Sequence, residues 1–211
     1  MEIEIRCNTF LLLPHKAVFW RDKKTLLIGD LHLGKITHFR KEGIAAPSSA
    51  SENNITRLDN LIKITKAERI FFLGDLFHNR YNKEWDRFEI WRGQYPSIEM
   101  IIVLGNHDIL PRELFIKNNL LFQQFISESK FIFAHHPDNF LEAERFVFCG
   151  HIHPVFCLRS TGRQYIKLPC FVHDKDQMIL PSYGIFTGGY EIHTQRDRKI
   201  YVIAGEKVIG V

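Results

Sequence analysis

Five runs of apolar residues in this chain each end in histidine, aspartate or asparagine: LLIGDLH, IFFLGDLFH, IIVLGNHD, FIFAHH and FVFCGHIH. An apolar run of four or five residues without helical periodicity reads as a buried strand, and in open α/β sheets the site lies just past the carboxyl ends of the strands. Five strand ends therefore converge on one pocket. They deliver Asp30, His32, Asp75, His78, Asn106, His107, Asp108, His135, His136, His151 and His153.

No thiolate is in that set. Imidazole and carboxylate donors without sulfur suit Mn, Fe, Zn or Mg rather than a sulfur-bound structural zinc. The donors are also too many for one ion. A tetrahedral ion is saturated by about four ligands, whereas two octahedral ions sharing a bridging carboxylate use roughly eight protein ligands and bridges and leave room for water and substrate.

The 211 residues fit one domain spanning 1–211. No apolar run approaches the roughly 18 residues of a membrane span, and MEIEIRCNTFLLL lacks the basic head and small-residue cleavage site of a signal peptide, so a cytoplasmic protein without membrane association is expected. Cys7, Cys149, Cys157 and Cys170 form no C-x-x-C pair, which fits free thiols in a reducing compartment. The 28 basic and 24 acidic side chains give a formal charge of +4, a weak lean toward a polyanionic partner.

Strand-like runs fall at Ala17 to Trp20, Thr25 to Ile28, Arg69 to Leu73, Met100 to Leu104, Lys130 to Ala134 and Arg145 to Cys149. Helical segments alternate with them. Ser49 to Glu52 has capping-box spacing ahead of Ile55, Leu58, Leu61 and Ile62, and Glu84 to Tyr95 and Pro111 to Asn118 read as two more helices. Beyond His153 short strands take over, with hairpins around Ser160 to Gln164 and at Gly205-Glu206. The pattern predicts an α/β (α+β) chain, two mixed sheets packed face to face with helices outside.

In their order, DLH at Asp30 to His32, GD at Gly74-Asp75, GNHD at Gly105 to Asp108, His135 after a strand, and GHIH at Gly150 to His153 resemble the calcineurin-like metallophosphoesterases. The resemblance implies a four-layer αββα sandwich with a dimetal site at the carboxyl ends of the strands, and a catalytic domain without a separate capping domain. It places Asp30, His32, Asp75 and His153 on one metal and Asp75, Asn106, His135 and His151 on the other, with Asp75 bridging. His135 and His136 compete for one position, and His135 is preferred because it directly follows the strand. By the same likeness His107 contacts the scissile phosphate and protonates the leaving oxygen, with Asp30 or Asp108 as its carboxylate partner. Asp108 reads equally well as a turn cap before Ile109. His78 departs from the widespread pattern; it supports the site, lines the substrate path, or is a solvated loop residue.

Four further strings, GDLHLGKITHFRKEGIAAP, GDLFHNRYNKEWDRFEIWR, GHIHPVF and LPSYGIFTGGYEI, resemble the bacterial ligase-associated DNA damage response endonucleases. This narrower likeness implies a manganese-dependent phosphodiesterase, with Fe, Zn or Mg as other candidate ions, acting on DNA beside a DNA ligase and a helicase. Lys35, Arg40 and Lys41 then stand to meet substrate phosphates, or else form an ordinary solvated helix face. Phe39, Trp85, Trp91 and Tyr190 are stacking candidates whose spacing suits core packing better. The alternative substrate is a cyclic nucleotide or another small phosphoester; a non-catalytic scaffold is a remote alternative, because every ligand position is filled.

Overall fold

The computed structural model describes residues 1–35, 43, 49–78, 81–140, 144–159, 164–185 and 187–211, with 49–53 and 138–139 described by their backbone alone. Seven strands form the first sheet in sequence order: β1 (Glu2–Ile5), β2 (Asn8–Leu13), β3 (Ala17–Trp20), β4 (Thr25–Ile28), β5 (Arg69–Leu73), β6 (Glu99–Val103) and β7 (Leu120–Gln123). β1 to β4 are an antiparallel meander, and β4 to β7 run parallel. Parallel neighbours need crossover connections. Here α1 (Ser49–Thr65), α2 (Lys83–Gly93) and α3 (Arg112–Lys117) lie in the three crossovers.

The second sheet is built from β8 (Ile126–Glu128), β9 (Phe131–Phe133), β10 (Phe146–Cys149), β11 (Pro154–Arg159), β12 (Tyr165–His173), β13 (Gln177–Ile179) and β14 (Tyr190–Glu191), with β15 (Lys199–Ala204) and β16 (Lys207–Gly210) attached through β12. β9, β10 and β13 are parallel, and β12 runs against β13 and β11.

Strict alternation of side chains divides the first-sheet strands between two cores. Ile70, Phe72, Met100 and Ile102 face the helices and meet Leu58, Leu61, Trp85, Phe88 and Phe115. Leu27, Phe71, Leu73, Ile101 and Val103 face inward and meet Phe131, Phe133, Phe146, Phe148 and Phe171 of the second sheet. Burial on both faces is why these strands read as unbroken apolar runs. The two mixed sheets packed face to face are the predicted class. The outer face of the second sheet, with Ile132, Val147, Cys149 and Val172, is covered among the described residues by the 3-10 turn Pro137–Phe140 and loops rather than by an α-helix, so the fourth layer is thin there.

The helix α2 begins where Asn82 accepts the Glu84 N–H at 2.9 Å. Trp85, Phe88 and Trp91 form its buried stripe, which places both tryptophans in the core rather than on a base-stacking surface. The capping-box side chains at Ser49 to Glu52 lie outside the described ones. No helix among the described residues is long and apolar enough to cross a membrane.

Candidate metal centre

β4, β5, β6, β9 and β10 end side by side, and residues two to four positions past each strand turn into one pocket. After β4, β5 and β10 the turn is made by left-handed backbone. Asp30 (φ 48°), His32 (φ 49°), Asp75 (φ 47°), His151 (φ 68°) and His153 (φ 52°) all adopt it. A non-glycine residue there costs on the order of 1–3 kcal/mol, and such strain persists only where the surroundings enforce it.

The enforcement is a small hydrogen-bonded ladder. The Asp30 and Asp75 loops run parallel, with His32 N–H donating to Asp75 O at 2.9 Å, Leu33 N–H to Leu76 O at 3.0 Å and His78 N–H to Leu33 O at 2.6 Å. The buried Glu84 carboxylate adds a rung by accepting the Gly34 N–H at 2.8 Å. Asp108 ties the third loop in, accepting from Phe77 N–H at 3.1 Å and Gly105 N–H at 2.9 Å. Asp75 Oδ1 accepts the His107 N–H and Asp30 Oδ2 the His151 N–H, each at 2.9 Å. Two glycines leave the room. A Cβ on Gly74, itself at φ 84°, would overlap the His135 ring, and one on Gly150 would run into Asp30 Oδ2.

The free carboxylate oxygens then face imidazoles. Asp30 Oδ1 lies 3.2 Å from His153 Nε2 and 3.8 Å from His135 Nδ1. Asp75 Oδ2 stands between His32 Nε2 at 3.8 Å and His135 Nε2 at 3.6 Å. His135 Nε2 is also 3.0 Å from Asn106 Oδ1 and 3.1 Å from His151 Nδ1, and its Nδ1 lies 3.1 Å from the Leu73 carbonyl. Asp30, His32 and His153 form one group able to hold a cation; Asp30, Asp75 and His135 form another.

These residues fit metal ions. Asp30 is fully buried, and although its Oδ1 and His153 Nε2 lie 3.2 Å apart, neither has a hydrogen-bond partner among the described residues. A buried carboxylate oxygen left without a donor is strongly unfavourable, and a cation between the two atoms satisfies both. Burial, reinforced by Lys35 and the rings of His153, His78 and His107, pushes the His32 pKa down to about 2. Burial, with His135 and His136 beside it, also lowers that of His151. Both rings are thus held neutral, the form in which imidazole binds metal.

His107 lies against this cluster, its ring centroid 5.6 Å from that of His32 and 4.7 Å from that of His78. His136 packs on His151 at 4.5 Å between centroids and is not in either donor group, whereas His135 is. Asp108 has both oxygens committed to backbone N–H groups, and burial raises its pKa to about 7. Lys35 is half-buried beside Asp75 and Asp30, whose charges partly offset the lowering of its pKa by burial. Tyr190 is exposed, its N–H donating to the His153 carbonyl at 3.1 Å. Phe39, Arg40 and Lys41 lie outside the described residues. Glu84 was not legible as part of the site, since its contact is 50 residues away in the chain and no spacing announces it.

Clustered imidazoles, two buried carboxylates and a neighbouring lysine can hold divalent cations and place a phosphate against them. The family model of the calcineurin-like phosphoesterases matches residues 23–185, which contain every candidate ligand. The chain belongs to that family. As a calcineurin-like phosphoesterase it is a metal-dependent hydrolase of phosphoesters. Over its whole length it is similar to a nuclease of Pseudomonas putida called MPE, with 30% identity, 100% of this chain and 99% of that chain covered, and a TM-score of 0.84. A phosphoesterase of E. coli, Yfce, aligns at 14% identity with 89% of this chain and 97% of that chain covered and a TM-score of 0.47. No curated protein matches this phosphoesterase.

Proposed function

We propose that this phosphoesterase is a nuclease that hydrolyses phosphodiester bonds in DNA, using two divalent cations, manganese first among them. The observation that carries the reading is the end-to-end similarity to the Pseudomonas putida nuclease, at an identity high enough to extend beyond the fold. In this proposal Asp30, His32, Asp75 and His153 hold one cation and Asp75, Asn106, His135 and His151 the other. Asp75, whose Oδ2 faces His32 and His135 from between them, would be shared by the two cations. The bound cations would supply Lewis acidity to an attacking water and to the phosphate oxygens.

The protein's own groups do the rest. His107 presents an imidazole proton to the leaving oxygen, its backbone N–H anchored on Asp75 and its ring steadied by His78. Asp108 ties the His107 loop to the Asp75 loop through the N–H groups of Gly105 and Phe77. Lys35 and His78 line the approach of the phosphate, and Arg40 extends that role in the sequence. A place in the DNA damage response beside a DNA ligase and a helicase, a cytoplasmic location, and one catalytic domain over 1–211 complete the proposal.

The test is turnover by metal-stripped protein restored with Mn, Mg, Zn or Fe, on single-stranded DNA, duplex DNA, cyclic nucleotides and a chromogenic diester. DNA cleavage with the highest efficiency in Mn is expected. A catalytic efficiency on a cyclic nucleotide far above that on DNA would overturn the nuclease reading and leave a small-molecule diesterase.

A further inference from the structure

We propose that the hairpin β11–β12 is a wall over the metal centre whose inner face binds the sugar-phosphate backbone of the polynucleotide substrate on one side of the cleavage point. This rests on the nuclease reading above.

The placement follows from strand direction. β13 and β10 are parallel, with Ile179 beside Cys149, so that end of the sheet is the one from which Gly150 to His153 emerge. β12 runs the opposite way and pairs Val172 with Ile179. Its earlier residues, Tyr165 to Pro169, therefore continue past the carboxyl end of the sheet, where they pair with β11. β11 itself starts at Pro154, directly after His153. The hairpin thus rises from the metal-binding loop itself.

Alternation decides which face looks where. Phe171 packs between the two sheets, whereas Cys170 and Val172 pack on the outer face of the second sheet. Tyr165, Lys167 and Pro169 share the parity of Phe171 and continue the inner face, which overhangs the sandwich end. Their partners across the hairpin are Arg159, Cys157 and Val155. The outer face carries Phe156 and Leu168, which join the outer core. Ion pairs confirm the grouping: Arg159 and Lys167 both reach Glu191, at 2.9 and 4.0 Å.

That inner face suits a polyanion. Two cations share one carboxylate, leaving net positive charge, and the carboxylate lies deeper: Glu191 is 25% exposed against 69% for Arg159 and 50% for Lys167. Glu191 holds the cations upright while their heads stay open to phosphate, the guanidinium in a bidentate geometry. Tyr165, directly opposite Arg159 and exposed, adds a ring of the kind on which bases stack. At about 3.3 Å per residue, Lys167 stands roughly 13 Å and Arg159 roughly 20 Å along the strand from His153. A small diester bound at the metals does not reach so far, but a polynucleotide strand does.

The decisive experiment compares the full-length protein with Arg159→Ala/Lys167→Ala and with the charge reversal Lys167→Glu, on a long oligonucleotide and on bis(p-nitrophenyl) phosphate. The double variant should lose about tenfold or more in kcat/KM on the oligonucleotide and keep its rate on the small diester. Binding of the oligonucleotide should show a log-log salt slope shallower by about 1.4, since each phosphate contact on a single strand contributes about 0.7. An equal loss on both substrates would make the hairpin a structural support of the metal loop and overturn the proposal. So would unchanged oligonucleotide cleavage in a parent that cuts DNA. A parent that turns over the small diester but cuts no polynucleotide would instead sink the nuclease reading, and this proposal with it.

Discussion

The Glu84 carboxylate, in the first turn of α2, accepts the backbone N–H of Gly34 at 2.8 Å, fixing the end of the loop that carries Asp30 and His32. Glu84 is buried and is a member of neither donor group. Its effect on the metals runs through the ladder, where His32 and Leu33 are hydrogen-bonded to the Asp75 loop.

Glu84→Ala should therefore lower metal affinity. Outer partners of metal ligands contribute about 10–100-fold in affinity, and an orphaned buried N–H costs about 1–3 kcal/mol. Glu84→Gln keeps an acceptor for Gly34 and should restore most of the affinity. Titration of Mn into the metal-free variants, followed by calorimetry, reads this out. Equal Mn affinity in Glu84→Ala and the parent would show that the ladder stands without its last rung.

The bridging role of Asp75 is the second expectation. Asp75→Asn should abolish activity and reduce bound metal, because an amide cannot offer anionic oxygen to two cations. Metal analysis alongside turnover decides it; one ion per chain in fully active parent protein would defeat the two-metal scheme.

His107 is expected to behave differently. His107→Asn should keep both metals and lose about 10²-fold or more in turnover, the usual contribution of a positioned general acid. The loss should shrink on diesters whose leaving group needs no proton. Metal loss in this variant would make His107 a ligand.

Legibility in the sequence followed burial. β4, β5 and β10 are apolar on both faces, and their bounds matched the apolar runs to within a residue. β1, β7 and β8 were not anticipated: they lie at or near sheet edges, are partly exposed, and include polar residues such as Glu2, Glu4, Gln123 and Glu128. That these side chains gather at the strand ends was legible because each strand end announces its own. Their orientation was not, since the left-handed turns at Asp30 and His151 and the support from Glu84 depend on segments far apart in the chain.

The Gly150 position tests that orientation. A methyl group there would collide with Asp30 Oδ2, the oxygen that accepts the His151 N–H. Gly150→Ala should cost about 1–3 kcal/mol of stability, as overpacking of a tight site does, and displace Asp30 enough to weaken metal binding. Thermal unfolding with and without Mn separates the two effects. The stabilisation added by Mn in the parent should be smaller in the variant, because a ligand at free concentration L stabilises the fold by RT ln(1 + L/Kd), which falls as Kd rises.

Far from the metals, Arg198 grips Asp174 through two hydrogen bonds, Nε to Oδ1 at 2.8 Å and the terminal nitrogen to Oδ2 at 3.0 Å. Burial raises the Asp174 pKa, but the bonds from Arg198 and Gln177 outweigh it, and the net result lies below the ordinary 3.8. A carboxylate with a lowered folded pKa adds stability that is complete above its unfolded pKa and is lost as pH falls through the folded one. The parent should thus exceed Arg198→Ala by about 1–2 kcal/mol near pH 6, the scale of a charge-assisted bond. That margin should narrow below pH 4, as protonation of Asp174 dissolves the pair. Urea midpoints of parent and variant, measured from pH 6 to pH 3, give the answer. A margin constant over that range would mean that Arg198 stabilises the β12–β13 turn by packing its stem rather than by its charge.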